Sequence, residues 1–178
     1  MNDDSTKRYG TVSRIFHWGM AILIGWQALK VFDRIAEGEH WVGQTLVPWH
    51  VSIGTLLLVI VIARIVWSAR QRGKRPQPEA RIAPMVKAGH IALYVAMALM
   101  PITGILMLVG IGYGLNVFGL QLIPEGPEVA WMAAVGSLHS PIAWTLLALI
   151  VGHIGMALYH HFVKKDDTLR RMAGPNTL

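Results

Sequence analysis

Two histidines lie fourteen residues apart in the last apolar stretch of the chain, Leu138 to Val163. This stretch includes His139 and His153 and contains no acid, Lys or Arg. Fourteen residues are close to four turns of an α-helix, so both imidazoles should project from one face, about 21 Å apart along the axis. An ionisable side chain is expensive to bury at membrane depth, and it therefore marks a functional site by default. The spacing predicts two metal centres on one helix.

The composition predicts an integral membrane protein. Of the 178 residues, 53% are hydrophobic and 15% are charged, whereas a soluble domain is about one quarter charged. Four apolar segments approach or exceed the roughly 18–20 residues that cross a bilayer: Ile15–Phe32, Pro48–Ser68, Ala88–Gly112 and His139–Val163. Because the connections are short, we expect an all-α fold, a four-helix transmembrane bundle formed by a single domain of residues 1–178. The Gly- and Pro-rich connection after the third segment predicts one short surface helix, Val129–Val135.

The basic residues predict the orientation of the bundle. Thirteen of the sixteen Lys and Arg lie before the first segment, between the second and third, or after the fourth, and Arg64 lies near the C-terminal end of the second segment. Only Lys30 and Arg34 belong to the opposite side. The positive-inside rule then places both termini in the cytoplasm. The net charge of +6 is thus a topology signal, and we expect no nucleic-acid binding.

This orientation pairs the histidines by depth. His50 should face His139 near the outer side, and His17 should face His153 near the inner side. Two neutral imidazoles in axial positions suit a b-type haem. The absence of cysteine excludes covalent c-type attachment and Cys-ligated iron–sulfur clusters.

The inner pairing stays open at this point, because His17 lies close to the predicted boundary of its segment. His160 or His90 could replace one of the two inner ligands. A single histidine near a helix end is more often an interfacial or hydrogen-bonded residue than a ligand. That interpretation applies to His40 and weighs on His90, His160 and His161.

Two arginines are suited to haem propionates. Arg64 follows His50 by fourteen residues and should share its helix face at the inner side, and Arg14 precedes His17 by three residues. The alternative for Arg64 is an interfacial side chain that extends to the lipid headgroups.

Several stretches resemble the bacterial cytochrome b561 family, four-helix membrane proteins with two haems, including its superoxide-oxidising members. The matching stretches extend over essentially the whole chain: Arg14–Trp18, His50–Gly54, Gly89–Tyr94, Leu138–Trp144 and Val151–Met172. The resemblance implies a multi-pass protein of the bacterial inner membrane. It also implies two non-covalent haems b with His17, His50, His139 and His153 as axial ligands.

The resemblance further implies electron exchange between an outer, periplasmic partner and ubiquinone. His160 matches a position near the quinone site, and His161 and His90 are further candidates. With superoxide as the outer partner the protein would be a superoxide:ubiquinone oxidoreductase, for which Lys30 and Arg34 are substrate candidates. Otherwise it would be an electron carrier.

The outer segments favour an alternative, because they carry five acids against those two bases. An acidic rim suits a cytochrome b subunit that accepts electrons from a periplasmic dehydrogenase or cytochrome. A third hypothesis, from another class, is a haem-free metal transporter that uses the histidines as transient ligands. The lack of any acid within the four apolar segments disfavours it.

Overall fold

The computed structural model describes residues 3–35 and 40–174, with the backbone alone for residues 31–35. Most of these residues are helical, as the sequence predicts. The helices are α1 Thr11–Ile35, α2 Trp41–Thr45, α3 His50–Arg70, α4 Ala83–Gly110, α5 Ala130–Gly136, α6 His139–Tyr159 and α7 Thr168–Ala173. A 3-10 turn, Val47–Trp49, precedes α3, and a π-helical turn, His160–Lys164, extends α6.

Three described helical segments are long and apolar enough to cross a membrane: Trp41–Arg70, Ala83–Gly110 and Ala130–Lys164. They contain the second and fourth predicted spans and all of the third except its last two residues, because α4 ends at Gly110. α1 has 25 residues but is not among the three, and the polar side chains of Arg14, Gln27 and Lys30 lie along it. Three spans are therefore confirmed by length and composition, and the first remains a prediction.

The bundle has a small apolar core. α1 packs against α3, α3 against α4, and α4 against α6. The buried side chains of Met20, Ile53, Leu57 and Val61 fill the contact between α1 and α3. In α6 only Leu146 is buried. Many large apolar side chains of the long helices are exposed, as expected of helices that face lipid.

One end of the bundle, the terminal end, joins the N-terminal segment to the α3–α4 connection. The buried carboxylate of Asp4 accepts hydrogen bonds from the Gly10 N–H at 2.8 Å and from Arg75 Nε at 2.9 Å. The backbone N–H of Asp4 donates to Gln71 Oε1 at 3.3 Å. These four residues, the terminal clasp, fix the chain just before α1 begins.

The C-terminal helix α7 also docks at the terminal end. Arg14 Nε donates to the Met172 carbonyl at 2.9 Å, and the Tyr9 N–H donates to the Arg171 carbonyl at 3.2 Å. Burial raises the pKa of the Tyr9 hydroxyl above its ordinary value. The N- and C-terminal segments therefore pack against each other beside the ends of α3 and α4.

The opposite end, the hairpin end, contains a β-hairpin that the sequence did not predict. Strands β1 Leu115–Val117 and β2 Leu120–Ile123 pair antiparallel. Phe118 and Gly119 form the turn with φ of 51° and 83°, the two positive values that a type I′ turn requires. The Phe118 N–H donates to Ser52 Oγ at 2.9 Å, which ties the turn to the start of α3. The short helix predicted at Val129–Val135 is confirmed as α5.

Helix α5 packs closely on the end of α4 through two glycines. A Cβ on Gly136 would lie 2.4 Å from Met107 Cα, and a Cβ on Gly110 would lie 2.3 Å from the Ala133 nitrogen. Neither position has room for a side chain. The contact fixes α5 immediately before α6, whose first residue is His139.

Candidate functional site

The hairpin end brings together two of the predicted histidines. His50 is the first residue of α3 and His139 is the first residue of α6. Their ring centres lie 6.1 Å apart, with the ring planes nearly perpendicular at 86°. Both side chains line an apolar cavity between α1, α3, α4 and α6, whose other walls include Leu57, Met97 and Leu146. We call His50 and His139 the hairpin-end pair.

Hydrogen bonding fixes the protonation of His139. Its Nδ1 lies 2.9 Å from the Met100 carbonyl oxygen and 3.3 Å from Thr103 Oγ1. A carbonyl only accepts, so Nδ1 carries a proton, and in the neutral imidazole the lone pair is then on Nε2. This arrangement is typical of a metal-binding histidine, whose second nitrogen is usually held by a backbone or carboxylate oxygen.

A glycine on α4 makes room for this ring. A Cβ at Gly104 would lie 3.0 Å from His139 Cε1, closer than ordinary van der Waals contact. Any larger residue at Gly104 would therefore push the imidazole from its position. Gly54, next to the same cavity, would place a Cβ 3.4 Å from Gln27 Nε2.

The terminal end brings together three histidines. The His153 ring centre lies 6.1 Å from that of His17 on α1 and 5.9 Å from that of His90 on α4. His17 and His153 are partly buried, whereas His90 is exposed. The sequence predicts His17 as the partner of His153, with His90 or His160 as a replacement, and the ring distances of His17 and His90 to His153 are almost equal. We call these residues the terminal-end trio.

Arg64 lies beside the trio. Its guanidinium donates to Nδ1 of His17 at 3.2 Å and packs 5.4 Å above the centre of the Tyr94 ring. The side chain is partly buried. It adds positive charge next to the trio, as the α3 spacing predicts. Arg14, the second propionate candidate, instead bonds the Met172 carbonyl.

His160 has a carboxylate partner that the sequence analysis missed. Its Nδ1 lies 2.5 Å from Asp166 Oδ2, and Asp166 Oδ1 accepts from the Thr168 N–H at 2.9 Å. Partial burial acts to raise the pKa of Asp166, but the hydrogen bonds from Thr168 and His160 outweigh it and hold the pKa well below its ordinary value. Lys165 has φ of 55°, which turns the chain back toward His160.

The remaining candidates lie apart from these groups. The His161 ring packs on Phe162, with ring centres 4.8 Å apart. Lys30 is exposed near the hairpin end of α1. Arg34 lies in the last turn of α1, but its side chain is outside the described residues, as are Glu37 and Glu39. His40 caps α2 by accepting from the Gly43 N–H at 3.0 Å.

Comparison with known proteins identifies the family. The profile of prokaryotic cytochrome b561 matches residues 8–175, almost the entire chain. The chain belongs to the prokaryotic cytochrome b561 family. A member of this family is a membrane electron-transfer protein that binds haem b, so the histidine groups lie in a protein that needs axial haem ligands.

Individual members of the cytochrome b561 family are similar along most of the chain. "Cytochrome b561 homolog 2" of Escherichia coli (strain K12) is 35% identical over 98% of this chain and 95% of its own. "Probable superoxide oxidase CybB" of Yersinia pestis is 28% identical over 93% of this chain and 96% of its own. "Cytochrome b561 homolog 1" of the same E. coli strain is 29% identical over 69% and 72%.

Proposed function

We propose that this cytochrome b561 family member holds two haems b, one at each end of α6, and transfers electrons from an outer partner to ubiquinone. The observation that carries the proposal is the recurrence of a 6.1 Å ring spacing at both ends of one helix, for His50 with His139 and for His17 with His153. The two sites would lie about 21 Å apart along α6.

The ring spacing fits axial ligation. Ring centres 6.1 Å apart leave room for one metal between two imidazoles, so His50 with His139 and His17 with His153 would each hold one haem iron. The apolar cavity of the hairpin-end pair gives the low-dielectric surroundings that tune a haem potential. His139 offers Nε2 because Met100 holds its Nδ1 proton.

At the terminal end we assign His17, rather than His90, as the partner of His153. His17 is the less exposed of the two side chains, and its Nδ1 is held by Arg64. A neutral imidazole that binds metal through Nε2 carries its proton on Nδ1, and Nδ1 can then no longer accept from Arg64. The guanidinium must find another acceptor, and a haem propionate suits it because an arginine–carboxylate pair can form two parallel hydrogen bonds.

The orientation follows from charge. The terminal end carries fourteen of the sixteen Lys and Arg, which favours the cytoplasmic side of a bacterial inner membrane. Both termini and the terminal-end trio would then face the cytoplasm. α1 would form the fourth span, with Lys30 near the periplasmic boundary.

Quinone reduction needs protons at the inner side, and His160 is suited to deliver them. Asp166 accepts from His160 Nδ1, so Nε2 is the nitrogen left to exchange a proton. His161 and His90 are further candidates near this end of the bundle. Haem, when bound, supplies one-electron transfer, and ubiquinone takes up two electrons and two protons to become ubiquinol.

For the outer partner we propose superoxide, as the printed name of the Yersinia pestis relative suggests. Two superoxide anions would each give up one electron and leave as dioxygen, which balances the two electrons of one ubiquinone. Lys30 and Arg34 supply the positive charge on that face. The second candidate is a basic periplasmic electron-transfer protein, which the five acids of the outer segments favour.

The haem content of three purified proteins tests the proposal. Wild-type protein should hold two haems b per chain, and His139→Ala and His153→Ala should each hold one, with the other haem spectrally unchanged. Two retained haems in His139→Ala would refute the outer pairing. His17→Ala and His90→Ala then decide the inner partner, because only the ligand variant should lose the inner haem.

The outer partner is tested by rapid mixing. Superoxide produced by xanthine oxidase should reduce the haems within the mixing experiment and form ubiquinol when ubiquinone is present. Lys30→Gln should slow the reduction of the haems. Added salt should slow the reduction of the wild-type protein, because salt screens the attraction between Lys30 and the superoxide anion. Reduction only after a periplasmic cytochrome or dehydrogenase is added would exclude superoxide.

A further inference from the structure

A second cavity lies at the hairpin end, between the start of α3 and the hairpin. Its volume is about 650 Å³, within the range of roughly 300–1,000 Å³ for small-molecule sites. Its lining includes Trp49, Ser52, Tyr113, Asn116 and Phe118. None of these residues belongs to the histidine groups, so the cavity is separate from the proposed haem sites.

Two aromatic rings stand at this cavity. The ring centres of Trp49 and Phe118 lie 6.1 Å apart with an interplanar angle of 39°. Each side chain remains about half exposed, at 48% and 55%. Partly exposed aromatic faces of this kind gain energy when another flat ring packs against them.

The turn that carries Phe118 has an uncommon backbone. Phe118 has φ of 51°, which the type I′ turn requires at a position where Asn, Asp or Gly is usual. The hydrogen bond from its N–H to the buried Ser52 Oγ holds it there. An interfacial aromatic belt would explain the exposure of the rings, and the turn holds the Phe118 ring against the cavity.

The chemistry of the lining selects the ligand. Among the residues that the structure describes, the cavity wall includes no Asp, Glu, Lys or Arg, so this part of the wall offers no countercharge to an ion. Asn116 provides both a carbonyl acceptor and amide donors, and Tyr113 provides a hydroxyl. Aromatic faces with a few neutral hydrogen-bonding groups suit a flat, uncharged ring that bears oxygen atoms.

We propose that this cavity binds an uncharged aromatic ring with carbonyl or hydroxyl groups, of the quinone and hydroquinone class. Trp49 directly precedes His50 in the sequence, so the bound ring lies next to the hairpin-end pair. The site is distinct from the quinone site proposed at the terminal end. The proposal concerns binding alone, and it therefore stands or falls independently of haem stoichiometry and of superoxide chemistry.

Fluorine NMR tests the proposal on the complete haem-loaded protein in lipid nanodiscs. The seven tryptophans are labelled with 5-fluorotryptophan, and Trp49→Phe identifies the resonance of Trp49. Duroquinone, which has no lipid tail, is the probe. We expect the Trp49 resonance to shift saturably, and Phe118→Gly to weaken binding at least about tenfold. Glycine accepts the positive φ, so this variant removes the ring and keeps the turn.

The controls separate a ligand site from other effects. Leu122→Ala changes an exposed β2 residue outside the cavity lining and should leave binding unchanged, whereas Asn116→Leu should weaken it by loss of hydrogen bonding. A Trp49 resonance that does not respond to duroquinone, or that saturates equally in Phe118→Gly and Asn116→Leu, would overturn the proposal. A response to lipid composition with none to duroquinone would also overturn it, by assigning the rings to the membrane interface.

Discussion

The guanidinium of Arg64 donates to Nδ1 of His17 across 3.2 Å. An arginine cannot accept, so the lone pair of His17 that faces α3 is the one on Nδ1. Metal binding through Nε2 would place a proton there and release Arg64. The Tyr94 ring, 5.4 Å below the guanidinium, offers a cation–π contact that can hold the released side chain.

Replacing Arg64 with Gln removes this positive charge from beside the inner haem site. A nearby cation stabilises the reduced, less positive centre, so the midpoint potential of the inner haem should fall by at least about 59 mV, a tenfold change for one electron. A spectroscopic redox titration measures it. Arg70→Gln, at the exposed end of the same helix, should leave the midpoint potentials of both haems unchanged. A similar shift in both variants would contradict a specific role for Arg64.

Gly104→Ala should disturb the outer haem alone. The added Cβ would meet His139 Cε1 at 3.0 Å, and the imidazole must tilt to accommodate it. We expect a changed low-spin EPR signal for one haem, and Gly104→Val should lower the haem-to-chain ratio. Gly89→Ala is the matched control, because it lies on the same helix and its Cβ would meet nothing within 4 Å. Unchanged EPR spectra in both Gly104 variants would refute the role of His139.

Asp4→Ala should destabilise the protein through the terminal clasp. Removal of the buried carboxylate leaves the Gly10 N–H and Arg75, whose side chain is 25% exposed, without this acceptor. A cost of about 1–3 kcal/mol is expected, or a decrease in Tm of roughly 3–10 °C. The control, Lys74→Gln, breaks an exposed ion pair with Asp3 and should cost less than about 1 kcal/mol. Equal decreases in Tm in both variants would show that the terminal clasp does not stabilise the protein.

Asp166→Asn should slow ubiquinol formation while leaving the haem spectra unchanged, because His160 loses the carboxylate that orients it. Asp167→Asn, which alters the exposed neighbour paired with Arg170, should retain the wild-type rate. A wild-type rate in Asp166→Asn would exclude this pair from proton delivery.

The pH dependence of stability checks the same contact. The pKa of Asp166 is lower in the folded chain than its ordinary 3.8. Its stabilising effect is therefore fully present above that ordinary value and is lost only as the pH falls through the lower folded pKa. The difference in Tm between wild type and Asp166→Asn should be the same at about pH 5 as at pH 7. A difference that disappears by pH 5 would contradict the depressed pKa.

Helical periodicity converts spacing into geometry, and it predicted which histidine rings lie near one another. His139 and His153, fourteen residues apart on one helix, indicated two sites, and depth then grouped them with His50 and His17. The sequence predicted His17 as the partner of His153 and kept His90 as a replacement, and the choice between the two stays a prediction. It depends on how α1 and α4 are rotated toward His153, and a single sequence does not contain that information.

Other features could not be predicted because they depend on short sequence patterns or on the backbone conformation of single residues. The hairpin has only three paired positions, and its turn uses Phe-Gly where Asn-Gly would be the usual indication. The contact between His160 and Asp166 depends on a left-handed residue at Lys165, which no spacing rule predicts. The first span was expected from composition, and the polar residues of α1 leave it a prediction.

The sparse packing of α6 has a consequence for biosynthesis. Its one buried side chain is Leu146, and it contacts the bundle chiefly through α4. Ligand bonds from His139 and His153 would then supply much of what keeps this helix docked. Iron starvation should accordingly yield a newly inserted chain in which α6 is not packed against the bundle and is accessible to membrane proteases. Cofactor supply would set the cellular abundance of the protein.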